Sequence, residues 1–449
     1  MIPDESARGG QTLTHQHEDR PRHRHYGAEM LSVEDARARI LACFAVLESE
    51  SRPLLECLGQ VLGQDVVAGF DIPPFANSAM DGYAVVARDV ARAGPQSPIE
   101  LRVIGKVAAG EVPDVRVEPG CAVRIMTGAP IPPGTEAVVP FEDTDEDERR
   151  RTRAGQDRIG VRHPTAQGRN LRPAGTDVRK GSVVLRRGVL LRPGEIGLAA
   201  SLGRKSLDVI RRPTVGIVAT GDEILEPGEP IAPGKIYNSN SFTVAALVKR
   251  YGGIPKVVGI ARDTIESLNA ALDGVLDCDL VITSAGVSKG DYDVVKDVLA
   301  ERGQIALWSV RMRPAKPLAF GALRGPDKRA VPLLGLPGNP VSAVVAFEQF
   351  ARPAIHLMMG KSNIEKPTII AVMDDAIVNH DGRRVYARVT VSRAPDGAYH
   401  ARLTGDQGSN ILSSVASANG LAICPEDRGQ VSAGESTQVQ MLDWPEEFF

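Results

Sequence analysis

Three apolar runs in the middle of the chain each end in a glycine-containing loop, and the last two loops lead into a helical pattern. The loops are residues 221–223 (GDE), 284–290 (SAGVSKG) and 336–340 (LPGNP). A strand, a glycine turn and a helix start leave backbone N–H groups unpaired at the positive end of a helix dipole, where proteins hold phosphates. Carboxylates beside such a site are typical of a divalent cation. The sequence therefore predicts a nucleotide-like, metal-assisted site.

Length and charge limit the class of protein. A chain of 449 residues exceeds what one core supports, so several domains are expected. The net charge is −3, with 53 Lys and Arg against 56 Asp and Glu, which argues against nucleic acid as a partner. The five cysteines are scattered without a Cys-x-x-Cys pair, which indicates a reducing cytoplasm. No apolar stretch approaches the ~18 to 20 residues of a membrane span, so no membrane association is expected.

The apolar pattern changes along the first 153 residues. Residues 1–29 carry four of the eight histidines without periodicity, and we expect a disordered tail. A helix is predicted over 32–48. Short Val- and Ile-rich runs over 60–140 alternate with Pro and Gly and predict a small β domain. Residues 142–153 (EDTDEDERRRTR) are interpreted as a solvated loop.

From residue 213 strands alternate with helices, which predicts a largely parallel sheet covered on both faces. The predicted strands are 215–220, 256–261, 280–284, 305–310 and 333–336, and the predicted helices are 242–250, 265–276 and those that follow residues 291 and 340. Ligands bind such sheets at the carboxyl ends of the strands, where all three glycine loops are expected. After about residue 361 the pattern returns to β, over 368–373, 384–391 and 437–441, and predicts a final β domain.

The acids near the glycine loops differ in how well a local structural role explains them. Glu223 follows a strand through Gly221 and caps no obvious helix, so it is the strongest candidate for a functional acid. Asp263 heads the pattern Asp263-Thr-Ile-Glu266, and the local pattern favours a helix cap. Asp293 lies in a first helical turn, where the helix dipole alone would stabilise it.

Other loop residues remain open to two interpretations on local grounds. Arg313 and Lys316 follow a predicted strand, and they fit either the binding of a phosphate or tetrahedral oxyanion or a set of solvated surface charges. The remaining loop acids are compatible with plain turns; they are Asp81, Asp177 and Asp222.

Eight motifs stand in a fixed order along the chain. They are PPFANSAMDGYAV at 73–85, RIMTGAPIPPGTEAVV at 124–139, GTDVRKG at 175–181, TGDEI at 220–224, GIARD at 259–263, SAGVSKGDYD at 284–293, MRPAKPLAFG at 312–321 and GLPGNPVSA at 335–343. Together they resemble the MoeA family, the molybdopterin molybdenumtransferases, to which the gephyrin E domain is related. The resemblance extends from about residue 30 to the C-terminus. The chain departs from the usual pattern at Ala285 and Ala315, where glycine is common, and at Ala76, where an acid is frequent.

The resemblance implies an activity and a set of site residues. The reaction would be the Mg²⁺-dependent insertion of molybdate into adenylylated molybdopterin with release of AMP, which completes the molybdenum cofactor. The implied catalytic acids are Asp81, Asp177, Glu223, Asp263 and Asp293, of which Glu223, Asp263 and Asp293 would bind the metal. The implied substrate-binding residues are Thr127, Gly221, Asp222, Ser284, Gly286, Ser288, Gly290, Arg313, Lys316, Pro337, Gly338 and Asn339. For Asp263 the resemblance outweighs the preference for a cap.

The resemblance also implies the fold, the assembly and the partners. The fold would be multidomain α/β plus β, with a central molybdopterin-binding-like α/β/α sandwich. The domains would be a His-rich tail (1–29), a discontinuous linking domain (30–74 and 163–208), an inserted β domain (75–162), the α/β domain (209–362) and a C-terminal β domain (363–449). An elongated homodimer would bring the Asp81 loop to the sheet edge of the other subunit. A molybdopterin adenylyltransferase and molybdoenzymes would be partners of this cytoplasmic protein.

Two other functions compete with this interpretation. A molybdopterin adenylyltransferase shares the α/β domain and the loop that opens at Ser284, but resembles only that portion. A non-catalytic cofactor carrier or scaffold would use the same pocket. The additional β domains and the Asp81 segment favour the insertion step.

Overall fold

The structure, a computed structural model, describes residues 30–444 apart from 154, 156, 285–297, 299–300, 326–328 and 396. Two six-stranded sheets, one five-stranded sheet and several strand pairs organise these residues. None of the helices described combines the length and the apolar composition that crossing a bilayer requires. The predicted His-rich tail and the helix after residue 291 fall mostly or wholly outside the described residues.

Two distant segments of the chain build a small unit of their own. Residues 57–68 and 178–209 share one apolar core. Strand Ser49–Pro53 pairs antiparallel with Ser206–Ile210, and Val66–Val67 pairs with Val183–Leu185. The helical elements of this unit are a 3-10 turn at Leu54–Cys57 and a helix at Pro193–Ser201. The small β domain is therefore inserted, in sequence, between the two segments of this unit.

The small β domain contains a five-stranded sheet. Its strands lie in the order Ala137–Pro140, Gly82–Val85, Cys121–Ile125, Ile99–Val107 and Arg158–Val161. Alternate residues point to opposite faces, so that Tyr83 and Val85 enter one apolar core and Ala84 and Val86 enter another. The smaller elements are the strand pair Asn77–Ser78 with Leu171–Arg172, the 3-10 turns Ala87–Val90 and Phe141–Asp143, and the helix Glu146–Thr152.

The interpretation of residues 142–153 as a solvated loop is wrong. Residues Glu146–Thr152 form a helix, and the Glu146 side chain is only 9% exposed. Opposite charges four residues apart stabilise a helix, and here Asp145 pairs with Arg149 and Glu146 pairs with Arg150. The acidic run followed by a basic run therefore contained a helical signal.

The α/β domain confirms the predicted, mainly parallel sheet. Its strands lie in the order Ile254–Ala261, Thr214–Thr220, Leu280–Ser284, Ala330–Leu336, Pro317–Arg324 and Gly303–Ser309. The first four are parallel, whereas Pro317–Arg324 is antiparallel to both of its neighbours. Helices Ser239–Arg250 and Ile265–Asp273 cover the sheet, and a short strand pair joins Ile224–Leu225 to Ile236–Tyr237.

One helical rod after the last parallel strand lies inside the α/β core. It consists of Pro340–Ala346, a π-helix at Phe347–Ala351 and Arg352–Met358. Every residue of the π-helix is buried, and so are most residues on either side of it. A helix that is buried all round must satisfy its polar side chains internally.

The C-terminal domain closes its sheet into a barrel. Around the barrel the strands are Arg384–Arg393, Tyr399–Leu403, Thr368–Met373, Ser436–Met441 and Gly420–Cys424, and the last also pairs with the first. Strand Met312–Arg313 of the α/β domain adds in parallel to Arg384–Arg393. The remaining elements are the strand pair Ile377–Val378 with Gln430–Val431 and the helix Leu412–Ala416.

The first helix packs on the α/β core. It spans Val33–Leu41, and the Ser32 hydroxyl caps it by accepting from the Asp35 N–H at 3.0 Å. It is shorter than the predicted 32–48. Its buried residues Val33 and Ile40 belong to the same core as the parallel strands and as Tyr386 of the barrel. The core of the α/β domain thus includes residues from three parts of the chain.

Candidate functional site

The carboxyl ends of four parallel strands meet at one edge of the α/β sheet. Thr220 lies beside Ala261, Ala219 beside Ser284, and Ser284 beside Leu336. The residues that follow these strands are therefore neighbours. They include 221–223, 262–263 and 337–339, which are the predicted glycine and acid loops.

Two aspartates face each other across this edge. The Asp222 N–H donates to Oδ2 of Asp263 at 3.3 Å, and the Asp263 N–H donates to Oδ1 of Asp222 at 3.4 Å. Thr264, and not Asp263, caps the next helix, because its hydroxyl accepts from the Ser267 N–H at 3.2 Å. The local preference for Asp263 as a cap is therefore wrong, and its carboxylate is directed at the Asp222 loop.

Glu223 folds back against Gly221 in the same turn. Gly221 has φ = +142°, and a Cβ placed there would lie 2.5 Å from Oε2 of Glu223. The backbone conformation thus favours glycine, and a side chain at this position would also have to displace the Glu223 carboxylate. Lys235 holds the loop from the other side by donating from Nζ to the Asp222 carbonyl oxygen at 2.5 Å. Three carboxylates, those of Asp222, Glu223 and Asp263, consequently lie on or against one turn.

We expect the Gly221→Ala variant to be destabilised by about 1–3 kcal/mol, the cost of forcing an unfavourable backbone conformation. The new methyl group also has to displace the Glu223 carboxylate. Urea unfolding of the full chain measures the change. The control is Gly197→Ala, on an exposed helical position with open space around it, where alanine should be neutral or slightly stabilising. Equal stability of the Gly221→Ala variant and the wild-type chain would contradict this account of the turn.

A residue that the sequence analysis missed connects two of the loops. Nδ2 of Asn240 donates to Oγ of Ser284 at 2.8 Å and to the Gly338 carbonyl oxygen at 2.7 Å. The helix that carries Asn240 begins at Ser239, earlier than predicted, because Asn238 caps it by accepting from the Ser241 N–H. The signal was the cap-forming run NSNS at 238–241.

The third loop is joined to the C-terminal domain. Nδ2 of Asn339 donates to Oγ of Ser409 at 3.0 Å, and the Val341 N–H donates to the Ser409 carbonyl oxygen at 3.1 Å. Pro337 is buried, whereas Gly338 and Asn339 are exposed. The barrel domain therefore fixes the position of the loop that precedes the buried helical rod.

The structure places Arg313 apart from the glycine loops. Its Nη2 donates to the Val378 carbonyl oxygen at 2.5 Å, and its Nη1 lies 3.9 Å from Oδ2 of Asp381. Lys316 is exposed on the connection that follows. Between them Ala315 has φ = +73°, the left-handed conformation that glycine favours, at a position where glycine is common in the resembled family.

A second arginine lines the same cavity as Arg313, about 340 Å³ in volume. The Arg388 guanidinium is buried and donates to Oγ of Ser414 at 3.1 Å and to the Gly408 carbonyl oxygen at 3.1 Å. Burial lowers the pKa of Arg388 to about 10. Among the described residues it forms no ion pair with a carboxylate. The sequence signal was an arginine inside an apolar strand, 384–391 (RVYARVTV).

Asp81 is held within the small β domain. The Thr127 N–H and the Thr127 hydroxyl both donate to Oδ1 of Asp81, at 2.6 and 2.7 Å, and these bonds lower the pKa of Asp81. Asp177 is exposed in a separate loop that precedes the strand Val183–Leu185. The structure describes no hydrogen bond or ion pair between either acid and the sheet edge of the same chain.

The remaining predicted site residues lie outside the part of the chain that the structure describes. They are Gly286, Ser288, Gly290 and Asp293, and Ala285 also lies there. Within the described part no group of three or more His, Cys, Asp or Glu side chains is arranged to hold a metal ion. The structure brings four of the predicted residues or loops together at the sheet edge: 221–223, Asp263, Ser284 and 337–339. Three other predicted residues lie elsewhere: Asp81, Asp177 and Arg313.

Comparison with known proteins covers nearly the whole chain. The family model of the MoeA N-terminal region (domain I and II) matches residues 31–203, that of a probable molybdopterin binding domain matches 216–357, and that of the MoeA C-terminal region (domain IV) matches 371–442. Molybdopterin molybdenumtransferase 2 of Mycobacterium tuberculosis is 38% identical over 92% of this chain and 100% of its own length. Molybdopterin molybdenumtransferase of Haemophilus influenzae is 35% identical, over 92% of this chain and 98% of its own.

Solved structures agree with this assignment. The crystal structure of the molybdopterin biosynthesis moeA protein from Pyrococcus horikoshii OT3 is 31% identical to this chain and has a TM-score of 0.73. The match covers 92% of this chain and 100% of that one. The domain models, the relatives and the fold all agree with the motifs at the sheet edge, and the chain belongs to the MoeA family.

Proposed function

We propose that this chain is a transferase that inserts molybdenum into molybdopterin in molybdenum cofactor biosynthesis. Its relatives are named molybdopterin molybdenumtransferases, and residues 216–357 match a probable molybdopterin binding domain. The single observation that carries the proposal is the pair of facing aspartates, Asp222 and Asp263, at the edge where the Ser284 and Gly338 loops meet.

The acids at the edge fit a magnesium ion by the chemistry of their donor atoms. Mg²⁺ prefers oxygen ligands and is usually bound through one or two carboxylates together with waters and substrate phosphates. Glu223 and Asp263 would hold it, with Asp293 as a third ligand. When bound, the ion would offset the negative charge of a diphosphate and of an approaching oxyanion. Asp222 would orient Asp263 through the reciprocal hydrogen bonds.

The loops joined by Asn240 would bind adenylylated molybdopterin. Asn240 ties Ser284 to Gly338 and so fixes the spacing between two loops that come from different strands. Asn339 is fixed in turn by Ser409. Loops held on rigid strands in this way position a substrate without having to reorganise when it binds.

The cavity lined by Arg313 and Arg388 would receive the molybdate. Guanidinium groups bind tetrahedral oxyanions well because their N–H groups match the spacing of the oxygens. Arg388 keeps its charge at neutral pH, since its lowered pKa is still about 10. The exposed Lys316 would add a further cation along the connection between the two sites.

A shared site in a homodimer would supply Asp81. Among the described residues the Asp81 carboxylate accepts hydrogen bonds from Thr127, and two apolar residues of the same segment are exposed, Phe75 at 46% and Met80 at 38%. The linking unit also exposes Leu55, at 82%. Exposed apolar side chains near a functional acid are typical of a surface that a second subunit covers.

The release of AMP tests the proposed reaction. Purified protein is given adenylylated molybdopterin with Mg²⁺, and AMP is measured by chromatography before and after molybdate is added. We expect AMP to appear in proportion to the molybdenum bound, and only when Mg²⁺ is present. Consumption of ATP with molybdopterin would instead favour an adenylyltransferase. Tight binding of the pterin without any release of AMP would favour a carrier.

A further inference from the structure

A second cavity, about 530 Å³ in volume, is lined only by residues of the small β domain. Its apolar lining residues are Tyr83, Val103, Ile104 and Ile159, of which Val103 and Ile104 are partly exposed and the other two are buried. Its size is in the range of small-molecule sites, which combine apolar walls with a few placed polar groups. None of its lining residues belongs to the sheet edge or to the Arg388 cavity.

Cations surround this apolar wall in excess over carboxylates. The five lining cations are Lys106, Arg124, Arg149, Arg150 and Arg158. Only three carboxylates of the described residues form ion pairs with them: Glu146 with Arg124 and Arg150, Glu100 with Arg149 and Arg158, and Asp145 with Arg149. Five cations against three paired carboxylates give this lining an excess of positive charge, which favours an anionic ligand.

The polar groups of the cavity are fixed before any ligand binds. Arg124 donates to Oε1 of Glu146 at 2.8 Å, and its guanidinium lies 4.4 Å from the ring centre of Phe141. Burial and the neighbouring Glu146 raise the pKa of Tyr83, so its hydroxyl stays protonated. Glu146 is paired with Arg124, and its carboxylate also lies beside the Tyr83 hydroxyl, so contacts within the domain hold the polar side of the cavity.

We propose that this cavity binds a phosphate monoester of a flat aromatic or heterocyclic group. The ring would lie against the partly exposed Val103 and Ile104, and the dianionic phosphate would lie among the cations at the rim. Lys106 and Arg150 are the most accessible of these, since Lys106 is exposed and Arg150 has a side chain that is 61% exposed. The site is separate from the molybdenum reaction and does not depend on the proposed function.

Calorimetric titration of the full-length protein with 1-naphthyl phosphate tests the proposal. Inorganic phosphate and 1-naphthol, which carry the two halves of the probe, are titrated in parallel at low ionic strength. We expect 1-naphthyl phosphate to bind at least ten-fold more tightly than either half, because the cavity provides both an apolar wall and an excess of cations. Binding should weaken as salt is added.

Substitutions at the rim test whether 1-naphthyl phosphate binds in this cavity. We expect the double variant Lys106→Gln/Arg150→Gln to weaken the binding of 1-naphthyl phosphate at least ten-fold. The control is Arg162→Gln, which removes an exposed arginine of the same domain that pairs with Glu148 outside the cavity, and it should leave the affinity unchanged. Equal affinity of the double variant and the wild-type chain would overturn the proposal, because the probe would then bind elsewhere. So would an affinity for the probe no better than that for inorganic phosphate.

Discussion

We expect the Asp263→Asn variant to fold normally and to release AMP at less than one hundredth of the wild-type rate. Asparagine keeps an oxygen that can accept the hydrogen bond from the Asp222 N–H, at 3.3 Å in the wild-type chain, and removes only the negative charge. If Asp263 binds Mg²⁺ as proposed, loss of its charge removes stabilisation of the transition state, and a hundred-fold loss in rate corresponds to about 2.7 kcal/mol. The measurement is AMP release from adenylylated molybdopterin with saturating Mg²⁺ and molybdate.

The control for this variant is Asp277→Asn. Asp277 is an exposed acid of the same domain, with a side chain that is 71% exposed and paired with Lys256. Its loss should leave the rate of AMP release unchanged. If Asp263→Asn released AMP at the wild-type rate, the facing aspartates would have no part in the reaction.

A mixture of Asp263→Asn and Asp81→Asn chains tests the shared site in the same assay. If Asp81 serves the partner's sheet edge, each mixed dimer has one site with both acids intact. Random pairing would make half of the dimers mixed, so about one quarter of the wild-type activity should return. No recovery after subunit exchange would mean that Asp81 and Asp263 act within one chain or not together at all.

The Lys366→Met variant should lose about 3–5 kcal/mol of stability, the usual cost of leaving one charge of a buried ion pair without its partner. Nζ of Lys366 lies 2.6 Å from Oε2 of Glu348 and 2.7 Å from the Tyr251 hydroxyl. The side chains of Lys366 and Glu348 are only 6% and 1% exposed. Glu348 lies in the buried π-helix, so water cannot replace the lost ammonium group. Urea unfolding followed by circular dichroism measures the change in the transition of the α/β domain.

Two further variants separate the charge effect from a loss of packing. Lys256→Met breaks an exposed pair with Asp277 and should cost no more than about 1 kcal/mol. The double variant Glu348→Gln/Lys366→Met removes both buried charges and should recover most of the loss, since neither charge is then left alone. A double variant as unstable as Lys366→Met would show that packing, and not the unpaired carboxylate, dominates.

The alternation of strands and helices was predictable because each parallel strand is a short apolar run that ends at a loop. The strand Pro317–Arg324 was not predicted, because its residues PLAFGALR begin with proline and contain alanine and glycine, which weakens the β pattern. Its place in the sheet depends on backbone pairing with Gly303–Ser309 and Ala330–Leu336 on either side. Both partners are neighbours in sequence, since Ser309 pairs with Pro317 and Arg324 pairs with Ala330, so the strand was missed because of its composition and not because of distant partners.

A site residue was predictable where the backbone conformation admits one residue type. It was less predictable where several residue types could fill the same structural role. Gly221 is required by its own conformation. Asp263 and Thr264 can both cap a helix, and only the structure shows that Thr264 does so. The direction of Arg313 depends on Val378 and Asp381, which are more than 60 residues away. The role of Asn240 was not predicted because the helix was expected to begin after it, whereas the helix begins at Ser239. Helix ends are poorly defined by local sequence.

The short strand Met312–Arg313 has a consequence for how the protein can be shortened or recombined. This strand lies in sequence between two strands of the α/β sheet, but it pairs with a strand of the C-terminal barrel. Arg384 of the barrel also forms an ion pair with Glu34 of the first helix. A gene cut after residue 362 would therefore expose an unpaired strand edge and open the core shared by Met312 and Tyr386. The barrel cannot be exchanged between relatives as a detachable module unless residues 310–317 are exchanged with it.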